Sequence, residues 1–271
     1  MKISFWSPIH GQSKTSSNIC AISIMASMMN KQNNIITESD GHSKSLKYAL
    51  TGDKNSSRDL AMSNTGVAAV VNYVKSALLS YETLSTCSIA LLNGHLNYIP
   101  GITHSERKFY DVSSIDSIIA NAISSMNQFC DNVFIDVGAF RNSLTLKVAR
   151  ESDIILVCLP QNINLVHNFF ERFDSYGLDK DKIIYVIGSY DEKSSYNLKN
   201  IMRTFDDINR HNIGVIPYNI EFADYFNNGC VVDFIQRNYA CTKNDENYFF
   251  ISSLKHCVEL IFQKAIDRKV I

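Results

Sequence analysis

Near the start of the chain, a lysine and several hydroxyl side chains follow a glycine in the run Ser7-Pro8-Ile9-His10-Gly11-Gln12-Ser13-Lys14-Thr15-Ser16-Ser17-Asn18. The chemistry open to such a run is phosphate binding. A loop between a strand and a helix can aim successive backbone N–H groups and the helix N-terminus at phosphate oxygens, while a Lys reaches the outer phosphates. The context fits, because an apolar stretch at 3–6 leads in and Ile19-Cys20-Ala21-Ile22 leads out. Against the pattern G-x-x-x-x-G-K-[ST], Pro8 stands at the first Gly and Ser13 at the second, which leaves Lys14 and Thr15 as the matched residues. Taken alone, the run reads equally well as a Ser/Thr-rich helix cap with a solvated Lys.

A second chemical feature is Phe134-Ile135-Asp136-Val137-Gly138, an apolar run that delivers one acid at its carboxyl end and then a glycine. A carboxylate so placed, on a strand paired with the phosphate loop, accepts from magnesium-bound water, and the flexible residues after it can sense a terminal phosphate. The remaining histidines (His42, His95, His104, His167, His211, His256) are scattered, and His10 has no partners at metal-ligand spacing, so a loop-shaping role fits it better.

These residues need a scaffold. Short apolar runs at 3–6, 34–37, 88–92, 133–136, 154–159, 183–187 and 213–216 read as strands. They alternate with helical stretches at 17–30, 66–80, 114–129, 144–150, 164–176, 194–205 and 248–268. That alternation predicts an α/β fold, a doubly wound and mostly parallel sheet with helices on both faces, as one domain over residues 1–271. In such sheets ligands bind beyond the carboxyl ends of the strands, where both chemical features fall. The polar segment 40–62 reads as a mobile excursion over one edge.

Bulk properties agree with an ordinary folded protein of the cytoplasm. Of 271 residues, 45% are hydrophobic and 20% charged, far from the balance of disordered chains. The net charge of -1 supplies no global field toward nucleic acid or an anionic membrane. Seven scattered cysteines, none in a C-x-x-C pair, read as reduced thiols. The apolar run before Pro8 is too short for a signal peptide, and no stretch approaches the length of a spanning helix. The C-terminal helix carries Leu254, Val258, Ile261, Ala265 and Ile266 between basic residues. Packing on the sheet explains that spacing better than a membrane-surface role does.

Together these loops resemble the MinD/ParA family of P-loop ATPases. The family's K-G-G-x-G-K-T-T is matched by Ile9-His10-Gly11-Gln12-Ser13-Lys14-Thr15-Ser16, with Ile9 in place of the distinctive first Lys. The H-G-Q wording and the stretches N-Y-I-P-G and I-P-Y-N-I-E-F look most like the TadZ/CpaE-type branch associated with pilus assembly. The resemblance implies ATP and Mg2+ as ligands. His10, Gly11, Gln12, Ser13, Lys14, Thr15 and Ser16 would cradle the phosphates, Lys14 would act catalytically, and Thr15 and Asp136 would hold the metal. Glu38-Ser39-Asp40 stands where the family has D-x-D, with Asp40 the better and Glu38 the weaker candidate for positioning the attacking water. Base recognition falls to Ser189, Pro217 and Tyr218. The absence of N-K-x-D there favours adenine over guanine.

The resemblance therefore implies a nucleotide switch that ATP drives into a homodimer and that acts with a protein partner in positioning or assembling a cellular machine. Ile9 cannot supply the family Lys across such a dimer, so hydrolysis should be slow, with Lys44 and Lys47 as candidate substitutes. Two alternatives stand beside it: a non-catalytic scaffold with a degenerate loop, and a plasmid or chromosome partition ATPase, which would need a basic stripe for DNA.

Overall fold

In a computed structural model, which describes residues 1–41, 44–53, 65–111, 113–139 and 142–270, the strands form one eight-stranded sheet in the order β3-β4-β2-β5-β1-β6-β7-β8. The strands are β1 (Lys2–Trp6), β2 (Asn34–Glu38), β3 (Ile89–Leu91), β4 (Leu96–Ile99), β5 (Asn132–Gly138), β6 (Ile154–Pro160), β7 (Ile183–Tyr190) and β8 (Ile213–Pro217). All neighbours run parallel except the edge strand β3, which is antiparallel to β4.

Helices cover both faces. In chain order they are α1 (Thr15–Met29), α2 (Lys44–Thr51), α3 (Val67–Lys75), α4 (Tyr81–Thr86), α5 (His104–Arg107), α6 (Ile115–Met126) and α7 (Ser143–Glu151). After these come α8 (Ile163–Glu171), α9 (Phe173–Tyr176), α10 (Leu198–Thr204), α11 (Ile220–Asn227), α12 (Val231–Asn238) and α13 (Tyr248–Asp267). Successive strand residues point to opposite faces. Val133, Ile135 and Val137 join one core with helices α3, α6 and α7, while Phe134 joins the other with α1, α12 and α13. Ile155, Val157 and Leu159 divide from Ile154, Leu156 and Cys158 in the same way. A parallel sheet covered on both sides thus demands the continuous apolar runs seen in the sequence.

The expected α/β sheet is present; helices α4, α5, α11 and α12 are additions to the expected elements, and three further differences concern detail. Strand β4 is an addition, because Leu96-Asn97-Tyr98-Ile99 carries too short an apolar pattern to stand out locally. Its partner β2 pairs it in register from Asn34–Leu96 to Thr37–Ile99. The stretch 40–62 is not simply an excursion: residues 44–51 form α2, whose Leu46, Ala49 and Leu50 are buried against α1 and α12, whereas residues 54–62 lie outside the described part. The helix expected over 164–176 is two short helices, α8 and α9, that meet at Arg172.

The apolar stripe of α13 is covered. Leu254, Val258, Ile261 and Ala265 are buried, with α13 lying on β8, and Ile266 alone of that set is exposed. Among the described residues no helix is long and apolar enough to cross a membrane.

Strand order positions the site. From β1 the chain passes to β2 on one side and later to β6, β7 and β8 on the other, with β5 inserted between β1 and β2. The loops after β1, β2 and β5 therefore meet at one edge, at the point where strand order reverses, and this is where an open α/β sheet leaves a crevice.

Candidate functional site

The loop after β1 is folded on itself by serines. Ser7 Oγ lies 2.8 Å from Ser13 Oγ and 2.9 Å from the Ile9 carbonyl, and it accepts the Ile9 N–H at 3.0 Å. Ser13 is buried, and its carbonyl accepts from the Asn18 side chain, itself buried, at 3.0 Å. Strand β7 closes in behind: a Cβ on Gly188 would stand 2.8 Å from the Ser13 carbonyl oxygen. Only a glycine in β7 leaves room for that close approach.

Lys14 then adopts a left-handed conformation (φ 54°, ψ 34°) as the residue immediately before α1. For a residue with a side chain this costs on the order of 1 kcal/mol. The helices that follow β5, β6, β7 and β8 start on Asn142, Asn162, Asn197 and Asn219, each of whose side chains accepts a first-turn N–H. By contrast, α1 has no side-chain cap and no acid in its first turn. Its leading N–H groups and the positive end of its dipole remain available to an anion.

Asp136 stands beside that helix start. It is in register with Phe5 of β1 on one side and Glu38 of β2 on the other. Its Oδ2 accepts from Ser16 Oγ at 2.7 Å and its Oδ1 from the Gly138 N–H at 2.8 Å. Burial raises its pKa, and those two donors work against the rise. Gly138 turns with φ 71°, a conformation that favours glycine, so the chain leaves the strand sharply after the acid.

Glu38 is buried, and its pKa is pushed up to about 8, chiefly by loss of solvent; the bond from Tyr98 partly offsets this, and nearby Asp136 adds to the rise. Its Oε1 accepts from the Tyr98 hydroxyl. At neutral pH this carboxyl is largely protonated, which removes the negative charge that a water-positioning base needs. Asp40 is more open, 4.0 Å from the Arg107 guanidinium, which also lies 3.8 Å from Asp116.

A cleft of about 430 Å³ joins His10, Gly11, Lys14, Thr15, Ser16, Glu38, Asp40 and Asp136. The structure thus brings together most of the residues expected at a phosphate and metal site. A second hollow of about 190 Å³, lined by Ser189, Pro217, Tyr218, Asn18 and Phe222, shares Lys14, Ser17 and Phe226 with the first. It holds the three residues expected at a base subsite. Two others sit differently: Gln12 is exposed and lines neither hollow, and Ser13 is a buried strut beneath the loop.

Lys47, a candidate for a charge reaching across a dimer, is corrected. It is buried on α2 and paired with Asp53 at 3.0 Å. The side chain of Lys44 lies outside the described part.

Sequence reasoning missed Tyr98, Asn18 and Phe226. Tyr98 sits on the unannounced strand, and Phe226 arrives from α11, far along the chain from the loop, with no local signal. Asn18 carried one: a polar residue heading an apolar helical run, with nowhere to go but toward the loop it supports.

No family model matches the chain, and no curated protein matches its sequence. Solved structures do share its shape. A ParA family ATPase from Chlorobium tepidum superposes with a TM-score of 0.71 at 13% identity, covering 96% of this chain and 97% of that one. MinD from Pyrococcus horikoshii, complexed with Mg-ADP, gives 0.67 at 12% identity over 97% and 96% of the two chains. A plasmid partition protein from Borrelia burgdorferi, bound to AMPPNP, gives 0.62 at 14% identity over 97% and 98%. The fold is that of the MinD/ParA P-loop ATPases.

Proposed function

We propose that this chain is a one-domain, cytoplasmic nucleotide switch that binds ATP with Mg2+, hydrolyses it slowly, and works with a protein partner in positioning or assembling a cellular machine. The observation that carries the proposal is the uncapped start of α1, which faces the buried Asp136 across one cleft, with Ser16 bridging the two. Hydroxyl and carboxylate oxygens form the hard donor set that Mg2+ selects. Asp136 and the hydroxyls at the head of α1 would hold the ion, which when bound draws charge off the phosphates.

The protein's own contribution is binding and orientation. The N–H groups of the loop and of α1 would point at the phosphates, and Gly11, with φ 76° and open space where a Cβ would stand, lets backbone approach an anion closely. Ser189, Pro217 and Tyr218 would receive the base in the second hollow. Asp40 would orient water, with Glu38 a weak helper while it holds its proton. A homodimer favoured by ATP follows if that state binds ATP more tightly. The pilus or secretion setting rests on the H-G-Q loop, N-Y-I-P-G and I-P-Y-N-I-E-F. The net charge of -1 lends no support to peripheral contact with a membrane or with DNA.

The second reading is a scaffold that retains the fold without turnover. The state of Glu38 and the substitutions Pro8, Ile9 and Ser13 favour it over a fast enzyme. Calorimetric titration of the purified chain with ATP, ADP and GTP, with and without Mg2+, tests the proposal. Tight, magnesium-dependent binding of ATP in preference to GTP is expected, and no binding of any of the three would overturn it.

A further inference from the structure

The pattern G-x-x-x-x-G-K-[ST] can be laid on this loop in two frames. In the frame that matches letters, Lys14 is the phosphate lysine and Thr15 the metal hydroxyl. Two observations made independently of the letters fall one residue later. The second glycine of the pattern is there to let the chain turn tightly beneath the phosphates, immediately before the helix and the lysine. In this chain the left-handed residue at that place is Lys14, and α1 begins at Thr15. The Ser/Thr of the pattern shares the metal with the strand acid. Here the hydroxyl bonded to that acid is Ser16, at 2.7 Å from Asp136 Oδ2.

We infer that the loop works one residue out of its apparent frame: Lys14 occupies the glycine position, Thr15 the lysine position, and Ser16, paired with Asp136, is the hydroxyl that meets the metal. The inference rests on the nucleotide-binding reading above and deepens it.

The chemical consequences come from geometry. A helix spaces successive side chains about 100° apart, so the hydroxyls of Thr15 and Ser16 cannot both face Asp136. Ser16 holds that place, and residue 15 is turned away from the acid, its side chain hydrogen-bonded to Cys158 of β6. Thr15 is too short to reach the outer phosphates from there and carries no charge. Lys14 has the charge but stands in the turn, where its Cβ takes up space that the pattern keeps clear. The loop therefore offers phosphate its backbone N–H groups and helix end, and lacks the fixed cation in the usual place. That gives the slow turnover a physical cause within one chain, separate from any residue missing across a dimer.

The two frames make opposite forecasts for one double variant, Lys14→Gly with Thr15→Lys. In the shifted frame it completes G-K-S, and affinity for MgATP should rise at least tenfold over the parent by calorimetric titration. In the letter frame it deletes the phosphate lysine and puts a lysine on the metal position, so affinity should collapse. A second comparison reads the metal: Ser16→Ala should reduce the Mg2+ dependence of ATP binding at least tenfold more than Thr15→Ala.

Melting of each nucleotide-free variant checks folding, and Lys14→Gly should raise Tm by about 2 °C as the left-handed strain is relieved. A parent that binds MgATP while the double variant loses it, or a larger metal effect at Thr15 than at Ser16, would overturn the shifted frame alone. Binding by neither the parent nor the folded double variant would overturn the nucleotide-binding reading itself, and the frame with it.

Discussion

The Tyr98 hydroxyl donates to Glu38 Oε1, so a strand that the local pattern does not announce supplies the partner of a buried acid in the cleft. Glu38 holds its proton up to about pH 8 in the folded chain, whereas in the unfolded chain it would lose it near the ordinary value of 4.5.

The sign of the resulting pH effect is fixed. Between those two pH values the folded state binds a proton that the unfolded state has released, so stability falls as pH rises. Glu38's contribution is fully present below pH 4.5 and is lost through pH 8. Denaturant melts of the parent and Glu38→Gln should show their stability difference changing across this window, by at most about 1.4 kcal/mol per pH unit. A difference independent of pH would mean that Glu38 is ionised when folded.

Removing the acid at the end of β5 should separate nucleotide binding from metal binding. Asp136→Asn keeps the shape and the acceptor for the Ser16 hydroxyl but loses the charge. ATP affinity without Mg2+ should change little, while the gain on adding Mg2+ should shrink about tenfold, roughly 1.4 kcal/mol. Titrations with and without the ion measure both, and an equal magnesium response in the two proteins would exclude Asp136 from the metal site.

A single methyl group behind the loop should also be felt. Gly188→Ala places a carbon 2.8 Å from the Ser13 carbonyl oxygen and 3.1 Å from Asn18 Nδ2, the first a backbone atom and the second held to that same carbonyl by a hydrogen bond. The loop or β7 must shift, at a cost of about 1–3 kcal/mol. Lower Tm together with weaker ATP binding is expected. Unchanged binding would show that the loop is not braced from β7.

Tyr218 offers a test of the base subsite that stability does not confuse, because it is 62% exposed and lines the second hollow. Tyr218→Ala should leave Tm unchanged and weaken ATP by about threefold to tenfold, the worth of an aromatic contact of roughly 0.5–1.5 kcal/mol. Equal affinity would place the base elsewhere.

Sedimentation of the chain with ATP, with ADP and without nucleotide, run beside a phosphate-release assay, reads the switch. A larger species confined to the ATP sample and slow release are expected. Brisk release would remove the slow-hydrolysis claim, and one mass in all three samples would leave the scaffold ahead.

The order of residues is enough to dictate the parallel sheet and the neighbourhood of its site. Runs such as Ile154-Ile155-Leu156-Val157-Cys158-Leu159 must be covered on both faces, and a chain that alternates such runs with helices has little choice but to gather its strand ends at one edge. Lys14, Ser16 and Asp136 are legible because they lie where the loop after β1 enters α1 and at the carboxyl end of β5. Which groups meet there is a matter of long-range packing. Tyr98 reaches Glu38 through the pairing of β2 with β4, and Lys47 turns inward to Asp53 because α2 packs its apolar face on α1 and α12. Which hydroxyl faces Asp136 is beyond the letters for the same reason. Thr15 and Ser16 are near equivalent as residues, and the left-handed turn at Lys14 sets the helix rotation that brings Ser16 to the acid.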